Sequence, residues 1–324
     1  MKKISIGILI LLMSCGIEES IDQGDTISKR TSCRFKKKNA NCGESYYLPD
    51  NPNYSPGKPM ASNCEEQVQE DFKNSSKDEL TYNSICYDSR ENDRIYNKIH
   101  PRLQKYWGVS YGARLMRARD VYDELNAFAF GDSFVAIGKA YLEELSEKKD
   151  ADILITGTFA HEAAHILQYK HMTGSNYNYY DTKDPRYLEL QADFLGGVFI
   201  ADNQDEGYDK SFSEALPFIY DSFNVGDCYY SSPDHHGTPT QRRAAAIFGW
   251  MIGDYLKQNK KNETAVEKMK RFKNNYTKVL NGDWGQNLKT LEEENRFIST
   301  EQADILNRIL NDEISREELL NYFE

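Results

Sequence analysis

The chain has 324 residues and a formal net charge of −11, because 51 Asp and Glu outnumber 40 Lys and Arg. An acidic surface repels phosphates, so we expect no nucleic acid among its partners. Hydrophobic residues make up 39% of the chain. This composition is typical of a globular protein and argues against a disordered one.

Residues 1–14 have the pattern of an export signal, with Lys2 and Lys3 followed by an apolar stretch at 4–13. The stretch is too short to span a bilayer, which takes roughly 20 apolar residues. Residues 12–15, with the sequence LMSC, resemble the lipobox of bacterial lipoproteins. That resemblance implies a lipid anchor on Cys15 and a location in the bacterial cell envelope, attached to the membrane.

Residues 15–91 are predicted to form a tether and a cysteine-containing arm, since Asp, Asn, Ser, Gly and Pro dominate their first part. An exported protein can keep disulfides. Two bridges within the arm are one possibility, and the fifth cysteine is then free or paired with one of the others. The cysteines besides Cys15 are Cys33, Cys42, Cys64, Cys86 and Cys228. Their spacing contains no C-x-x-C pair, which argues against a structural zinc ribbon.

Apolar residues recur at regular spacing from residue 92, where we place the start of the main domain, 92–255. An apolar-spaced stretch comes first, and a short strand and a helical stretch at about 115–125 follow it. Residues 126–138 are aromatic and β-branched with Gly131 at their centre, which predicts a strand or hairpin.

Helical spacing of apolar residues then predicts three helices. The first begins at 140–145, the second covers 153–169 and the third covers 186–201. A tyrosine-rich loop at 175–180 separates the last two, and Asp184-Pro185 is the expected cap of the third helix. After residue 240 the chain is predicted to be helical, with a break at 281–283 and a helical extension over 256–324. The expected fold class is α+β: a small twisted sheet packed on the helix at 153–169 and a mainly helical second half.

His161, Glu162 and His165 form an H-E-x-x-H pattern in the helix predicted over 153–169. Two imidazoles at i and i+4 lie on one helical face and can bind one Zn²⁺ ion. Bound zinc lowers the pKa of a water to roughly 7. Glu162 would then serve as general base and later as general acid. The pattern therefore predicts metal-assisted hydrolysis.

A third protein ligand is needed, and the residues leave two candidates. Glu189 is followed one turn later by Asp193, which could orient a ligand histidine, although such a pair can also be a solvated helix surface. His171 has the spacing of the metzincin pattern, but Gln168 stands where that pattern has glycine. On an unbroken helix His171 would lie about 9 Å beyond His165 along the axis, far more than a zinc–nitrogen bond of roughly 2.0–2.1 Å.

Three strings in order resemble the bacterial neutral zinc metallopeptidase family: HEAAHILQ at 161–168, ELQADFLGG at 189–197 and HGTPTQRR at 236–243. Residues 126–145 are also similar to the segment before the motif in HtpX-like gluzincin peptidases. The resemblance covers 92–255 and implies that Glu189 is the third zinc ligand and Asp193 the supporting acid. It further implies an edge strand at 126–138 for an extended peptide. His236 and Arg242 match the third string, and their role is open between steadying an oxyanion and holding helix packing.

The sequence thus predicts a lipid-anchored zinc metallopeptidase with a zincin-like fold, acting on protein or peptide substrates. Two alternatives stay open. One is a catalytically silent binding lipoprotein on the same scaffold, because a fold does not guarantee activity. The other is a zinc amidase acting on cell-wall peptides.

Overall fold

The computed structural model describes residues 81–84, 92–117, 125–172, 186–203, 210–224, 226, 236–282, 284 and 298–323. Several predicted features lie outside these residues: the signal, the anchor at Cys15, all the cysteines, the 175–180 loop and the cap at Asp184-Pro185. Lipid anchoring therefore stays a prediction. No helix in the described ranges has both the length and the apolar character that crossing a membrane requires.

Four strands form one sheet in the order β1-β2-β4-β3. They are β1 Thr81–Ser84, β2 Gly112–Arg117, β3 Ala127–Phe130 and β4 Phe134–Gly138. Strands β2 and β4 are parallel, whereas β1 pairs with β2 and β3 with β4 in antiparallel fashion. The hairpin predicted at 126–138 is confirmed, and among the described strands β3 lies at an edge of the sheet.

Two parts of this sheet differ from the sequence expectation. The helix predicted at 115–125 is wrong for 115–117, which continue β2, and 118–124 lie outside the described residues. Parallel pairing with β4 places Leu115 opposite Ile137, and this pairing overrides local helical spacing. The four residues of β1 were assigned to the arm, yet they pair with β2 and extend the sheet.

The helices confirm an α+β fold with a mainly helical second half. The first, α1, follows a π-helical stretch at Asn92–Ile99. The described helices are α1 His100–Trp107, α2 Lys139–Glu147, α3 Ala151–Met172, α4 Arg186–Asp202, α5 Phe212–Asn224, α6 Pro239–Gln258, α7 Ala265–Asn281, α8 Thr300–Leu310 and α9 Arg316–Phe323. The helices predicted around 140–145, 153–169 and 186–201 are confirmed, and so is the break after α7, where Gly282 has a φ of 76°. Helix α5 was not predicted.

Helix α3 lies at the centre of the fold. It packs against β3 and β4 on one side and against α4 and α5 on the other. Because neighbours surround it, apolar side chains occur around most of its circumference, as expected of a buried helix. Ile155, Phe159, Ala163 and Leu167 are all fully buried. Polar residues on α3 therefore have to find their partners inside the protein.

Helices α4 and α6 approach each other with their backbones in contact. A Cβ added at Gly249 would lie 1.9 Å from the carbonyl oxygen of Phe194, and one added at Gly197 would lie 2.2 Å from that of Ala246. Real Cβ atoms do not come so close to a carbonyl oxygen, so glycine is required at both positions. This contact sets the distance between the polar residues of α4 and those at the start of α6.

The helices after residue 256 share the hydrophobic core with α4–α6. The ring of Phe272 in α7 lies 5.4 Å from that of Phe194, and the fully buried Trp284 lies 4.8 Å from Phe248. At the C-terminal end, Phe323 stacks on Phe212 at 4.1 Å. The helical extension is thus built against the helices of the preceding domain.

We predict that Gly249→Ala destabilises the protein, because the added methyl group meets the α4 backbone and not a flexible side chain. Overpacking of this kind costs about 1–3 kcal/mol. The free energy of unfolding, measured by chemical denaturation, is expected to fall by that amount or more. Gln258→Ala, at the exposed end of the same helix, is the control and should stay within about 0.5 kcal/mol of the parent. Equal stability of the two variants would contradict the proposed backbone contact.

Candidate metal centre

His161 and His165 lie one turn apart on α3 and turn the same ring nitrogen toward each other. Their Nε2 atoms are 3.1 Å apart and the rings are nearly perpendicular. His165 is 2% exposed, while the side chain of His161 is 13% exposed. The pair is therefore largely shielded from solvent, and His161 is the more accessible of the two rings.

Glu189 reaches this pair from α4. Its Oε2 lies 3.4 Å from Nε2 of His161 and its Oε1 lies 3.4 Å from Nε2 of His165. A tetrahedral metal with bonds of about 2.0–2.1 Å separates its donor atoms by roughly 3.3 Å. Glu189 is only 5% exposed, and its Oε1 has no hydrogen-bond partner among the residues that the structure describes. Three donor atoms within 4.8 Å of one another can thus hold a metal ion, and it would satisfy the unpartnered oxygen.

Asp193, one turn after Glu189, fixes the orientation of His161. Its Oδ1 is 2.9 Å from Nδ1 of His161. Because an ionised carboxylate only accepts hydrogen bonds, Nδ1–H donates here, and Nε2 is left facing the other ligand atoms. The sequence assigned Asp193 as the supporting acid, and the structure places it in contact with a histidine of the metal group.

Arg242, in the first turn of α6, balances the charge of Asp193. The guanidinium donates from Nε to Oδ2 at 2.7 Å and from Nη2 to Oδ1 at 2.9 Å, while Asp193 is fully buried. Its Nη1 also lies 3.5 Å from Oε2 of Glu189. Arg242 is 4% exposed and lies beneath both carboxylates. These contacts tie α6 to the acids of α4, which fits the helix-packing role left open by the sequence. His236 is half-buried nearby, and its charge contributes to lowering the pKa of Glu189.

Glu162 lies beside the metal group and next to the sheet. Burial raises the pKa of its carboxyl group, the charge of Glu189 raises it further, and the net value is about 7. His161, Arg242 and a hydrogen bond from the backbone N–H of Ala129 oppose the rise. A carboxyl group with this pKa can take up and release a proton near neutral pH, as a general acid and base must.

The remaining pKa shifts describe a site that attracts positive charge. Burial acts to lower the pKa of His161, but its hydrogen bonds with Asp193 and Glu189 outweigh burial and raise the pKa to about 10. Burial dominates at His165 and lowers its pKa to about 4. Burial acts to raise the pKa of Glu189, but the neighbouring histidines and arginine hold it well below the usual value. Arg242 and the proton on His161 balance the ionised Glu189 and Asp193, and a divalent cation bound at Nε2 would take the place of that proton.

The edge of β3 that does not pair with β4 faces this site. In an antiparallel pair, hydrogen-bonded residues alternate with residues whose backbone groups point away. Asn126 accepts a hydrogen bond from the N–H of Gly138, so within this register Ala127 and Ala129 point away from β4. The hydrogen bond from Ala129 to Glu162 runs in that direction. The outer edge of the hairpin therefore lies next to the metal group.

The structure separates the two candidates for the third ligand. Helix α3 continues without a break through Gln168 to Met172, and His171 is absent from the metal group found among the described residues. Glu189 is in that group. Sequence reasoning missed one partner: the Oε1 of Gln168 lies 2.7 Å from Nδ1 of His165. Its position three residues after His165, one helical turn away, was the available signal.

The chain matches no protein-family profile, no curated protein and no solved structure. The interpretation of the site therefore depends on its own geometry. That geometry brings together His161, Glu162, His165, Glu189 and Asp193.

We predict that Arg242→Met strongly destabilises the protein, because it leaves Asp193 as a fully buried charge without its cation. Breaking a buried pair in this way costs about 3–5 kcal/mol, measurable as a loss in the free energy of unfolding. Arg243→Met is the matched control: Arg243 is equally buried, but its partner Asp312 is 33% exposed and stays solvated. The control should lose clearly less. A larger loss in the control would show that Arg242 does not compensate a buried charge.

Proposed function

We propose that this protein is a zinc-dependent metallopeptidase with a zincin-like fold of the gluzincin type. The observation that carries the proposal is the convergence of His161, His165 and Glu189 beside Glu162, a buried carboxyl group whose pKa is about 7. The strings at 161–168, 189–197 and 236–243 led to the same expectation from the sequence.

The donor set together with the H-E-x-x-H spacing favours zinc over calcium and magnesium. Two imidazole nitrogens and one carboxylate are typical of catalytic zinc sites, which keep a fourth position open, whereas structural zinc sites use four protein ligands. Calcium and magnesium prefer oxygen donors. Asp193 supports one ligand histidine, as is usual around catalytic zinc.

When bound, zinc supplies a Lewis acid that lowers the pKa of a water molecule to roughly 7 and polarises a carbonyl group. Glu162 takes the proton of the attacking water and passes it to the leaving amine. Its raised pKa suits both directions of transfer. Asp193 and Arg242 keep His161 in one orientation throughout, so no reorganisation of the site is needed at the moment of reaction.

We propose that the substrate is an extended peptide lying along β3. The carbonyl groups of Ala127 and Ala129 point away from β4 and can accept hydrogen bonds from a further strand, while the N–H groups of these residues donate to Oδ1 of Asn126 and to Glu162. Main-chain pairing binds without regard to most side chains, so we expect little sequence preference in unfolded protein substrates. Such a strand would pass Glu162, because Ala129 already contacts its carboxylate.

We predict that Glu162→Gln retains zinc and loses turnover, because Glu162 transfers protons and is not a ligand. General acid–base catalysis contributes about 10²–10⁴-fold, so cleavage of an unfolded protein should fall by at least that range. Zinc content, measured on the same preparation, should match the parent. Activity near the parent level would refute the role of Glu162. A parent that holds zinc and cleaves no peptide would favour a silent binding lipoprotein.

We predict that Glu189→Ala lowers zinc affinity severely, because it removes one of three protein ligands. The loss should exceed the roughly 10–100-fold that removal of a residue supporting a ligand causes. His171→Ala is the matched comparison, because this half-buried histidine lies on α3 with His161 and His165 but outside the metal group. It should retain zinc and activity. The reverse result in a zinc competition assay would overturn the gluzincin assignment.

A further inference from the structure

The second histidine of the metal group is held by a chain of buried amides that ends in the C-terminal extension. Gln168 lies between His165 and α4, and its Nε2 donates to the carbonyl oxygen of Leu188 at 2.9 Å and to Oε1 of Gln191 at 3.3 Å. Gln191 in turn donates from Nε2 to the carbonyl oxygen of Met269, in α7, at 3.2 Å. The amides are 1% and 0% exposed.

Backbone carbonyl groups fix the donor-to-acceptor direction of the hydrogen bonds in this series of amides. A carbonyl oxygen only accepts, so the amide end that faces Met269 must be the nitrogen of Gln191, and the end that faces Leu188 must be the nitrogen of Gln168. The oxygen of Gln168 is then turned toward Nδ1 of His165 at 2.7 Å. That nitrogen must carry a hydrogen, which leaves the lone pair of the neutral ring on Nε2, facing His161.

We propose that Gln168 is the positioning residue for His165 and that Gln191 and α7 hold Gln168 in place. The inference rests on the proposed function, since it takes the metal group to be the zinc site. His161 is oriented by a carboxylate and His165 by a neutral amide. The C-terminal extension is then part of the metal site, because Met269 anchors the far end of the amide chain.

The contacts of the amides indicate more than helix packing. An apolar side chain would fill the same buried space between α3 and α4 without the desolvation that a buried amide entails. Both polar atoms of Gln168 are hydrogen-bonded, and each bond is directed. A polar chain of this kind fixes one ring orientation of the histidine at its end.

The test compares Gln168→Leu with Gln168→Glu in the full chain. The first variant removes both the acceptor for His165 and the donor for Leu188, whereas the second keeps the acceptor and loses the donor. If Gln168 positions His165, zinc affinity measured by chelator competition should fall about 10–100-fold in the leucine variant. The glutamate variant keeps the acceptor for His165 but loses the bonds to Leu188 and Gln191 that hold the side chain, so its affinity should fall less than that of the leucine variant.

Two further readouts separate positioning from stability. The visible spectrum of the Co²⁺-loaded protein reports ligand geometry, and it should change in Gln168→Leu and in Gln191→Leu. Asn275→Leu is the matched control, since it removes another buried amide, one that bonds locally within α7. Its zinc affinity should stay within about twofold of the parent, as for sites that share no contact, while the free energy of unfolding falls.

The outcomes distinguish failure of the positioning role from failure of the proposed function. Parent-like zinc affinity and Co²⁺ spectrum in Gln168→Leu would overturn the positioning role and leave the proposed function intact. Equal losses of affinity in the leucine and glutamate variants would also overturn it, because an acceptor at position 168 would then make no difference to zinc binding. A parent that binds neither Zn²⁺ nor Co²⁺ would overturn the proposed function and, with it, this inference.

Discussion

The structure depends on one electrostatic constraint, the full burial of the Asp193 carboxylate. An ionised carboxylate inside a protein needs both a counter-charge and hydrogen-bond donors. Arg242 supplies the charge from α6 and His161 supplies a further donor from α3. Three helices are therefore fixed relative to one another by a single side chain. The glycines that let α4 and α6 touch are what bring the guanidinium within reach of the acid.

The same constraint connects the fold to the chemistry of the site. Helix α3 is enclosed by the sheet and by helices, so its two histidines and Glu162 are desolvated, and burial is the largest single influence on all three pKa values. The outcome differs between the two histidines. At His161 the hydrogen bonds with Asp193 and Glu189 outweigh burial and the pKa is raised, while at His165 burial outweighs the effects of Glu189 and Gln168 and the pKa is lowered. A metal ion bound to both rings would hold both imidazoles in the neutral form.

Much of the site could be predicted from sequence, because its signals are local. The i, i+4 histidines and the i, i+4 acids each lie on one helical face, and the aromatic 126–138 segment with a central glycine indicates a hairpin. Features set by tertiary contacts were missed. Residues 115–117 join β2 because β4 lies beside them, and β1 has only four residues, TYNS, without an apolar alternation. Helix α5 contains Pro217, which argues against a helix in sequence reasoning. The link from Gln168 to α7 spans residues too far apart for any spacing rule.

X-ray absorption at the zinc edge of the zinc-loaded protein measures whether two imidazoles and one carboxylate bind a single zinc ion. We expect one bound zinc with nitrogen and oxygen neighbours at about 2.0–2.2 Å and the scattering signature of two histidine rings. Sulfur neighbours at about 2.3 Å would place the zinc on cysteines. That result, or a first shell without histidine, would contradict the assignment of His161, His165 and Glu189.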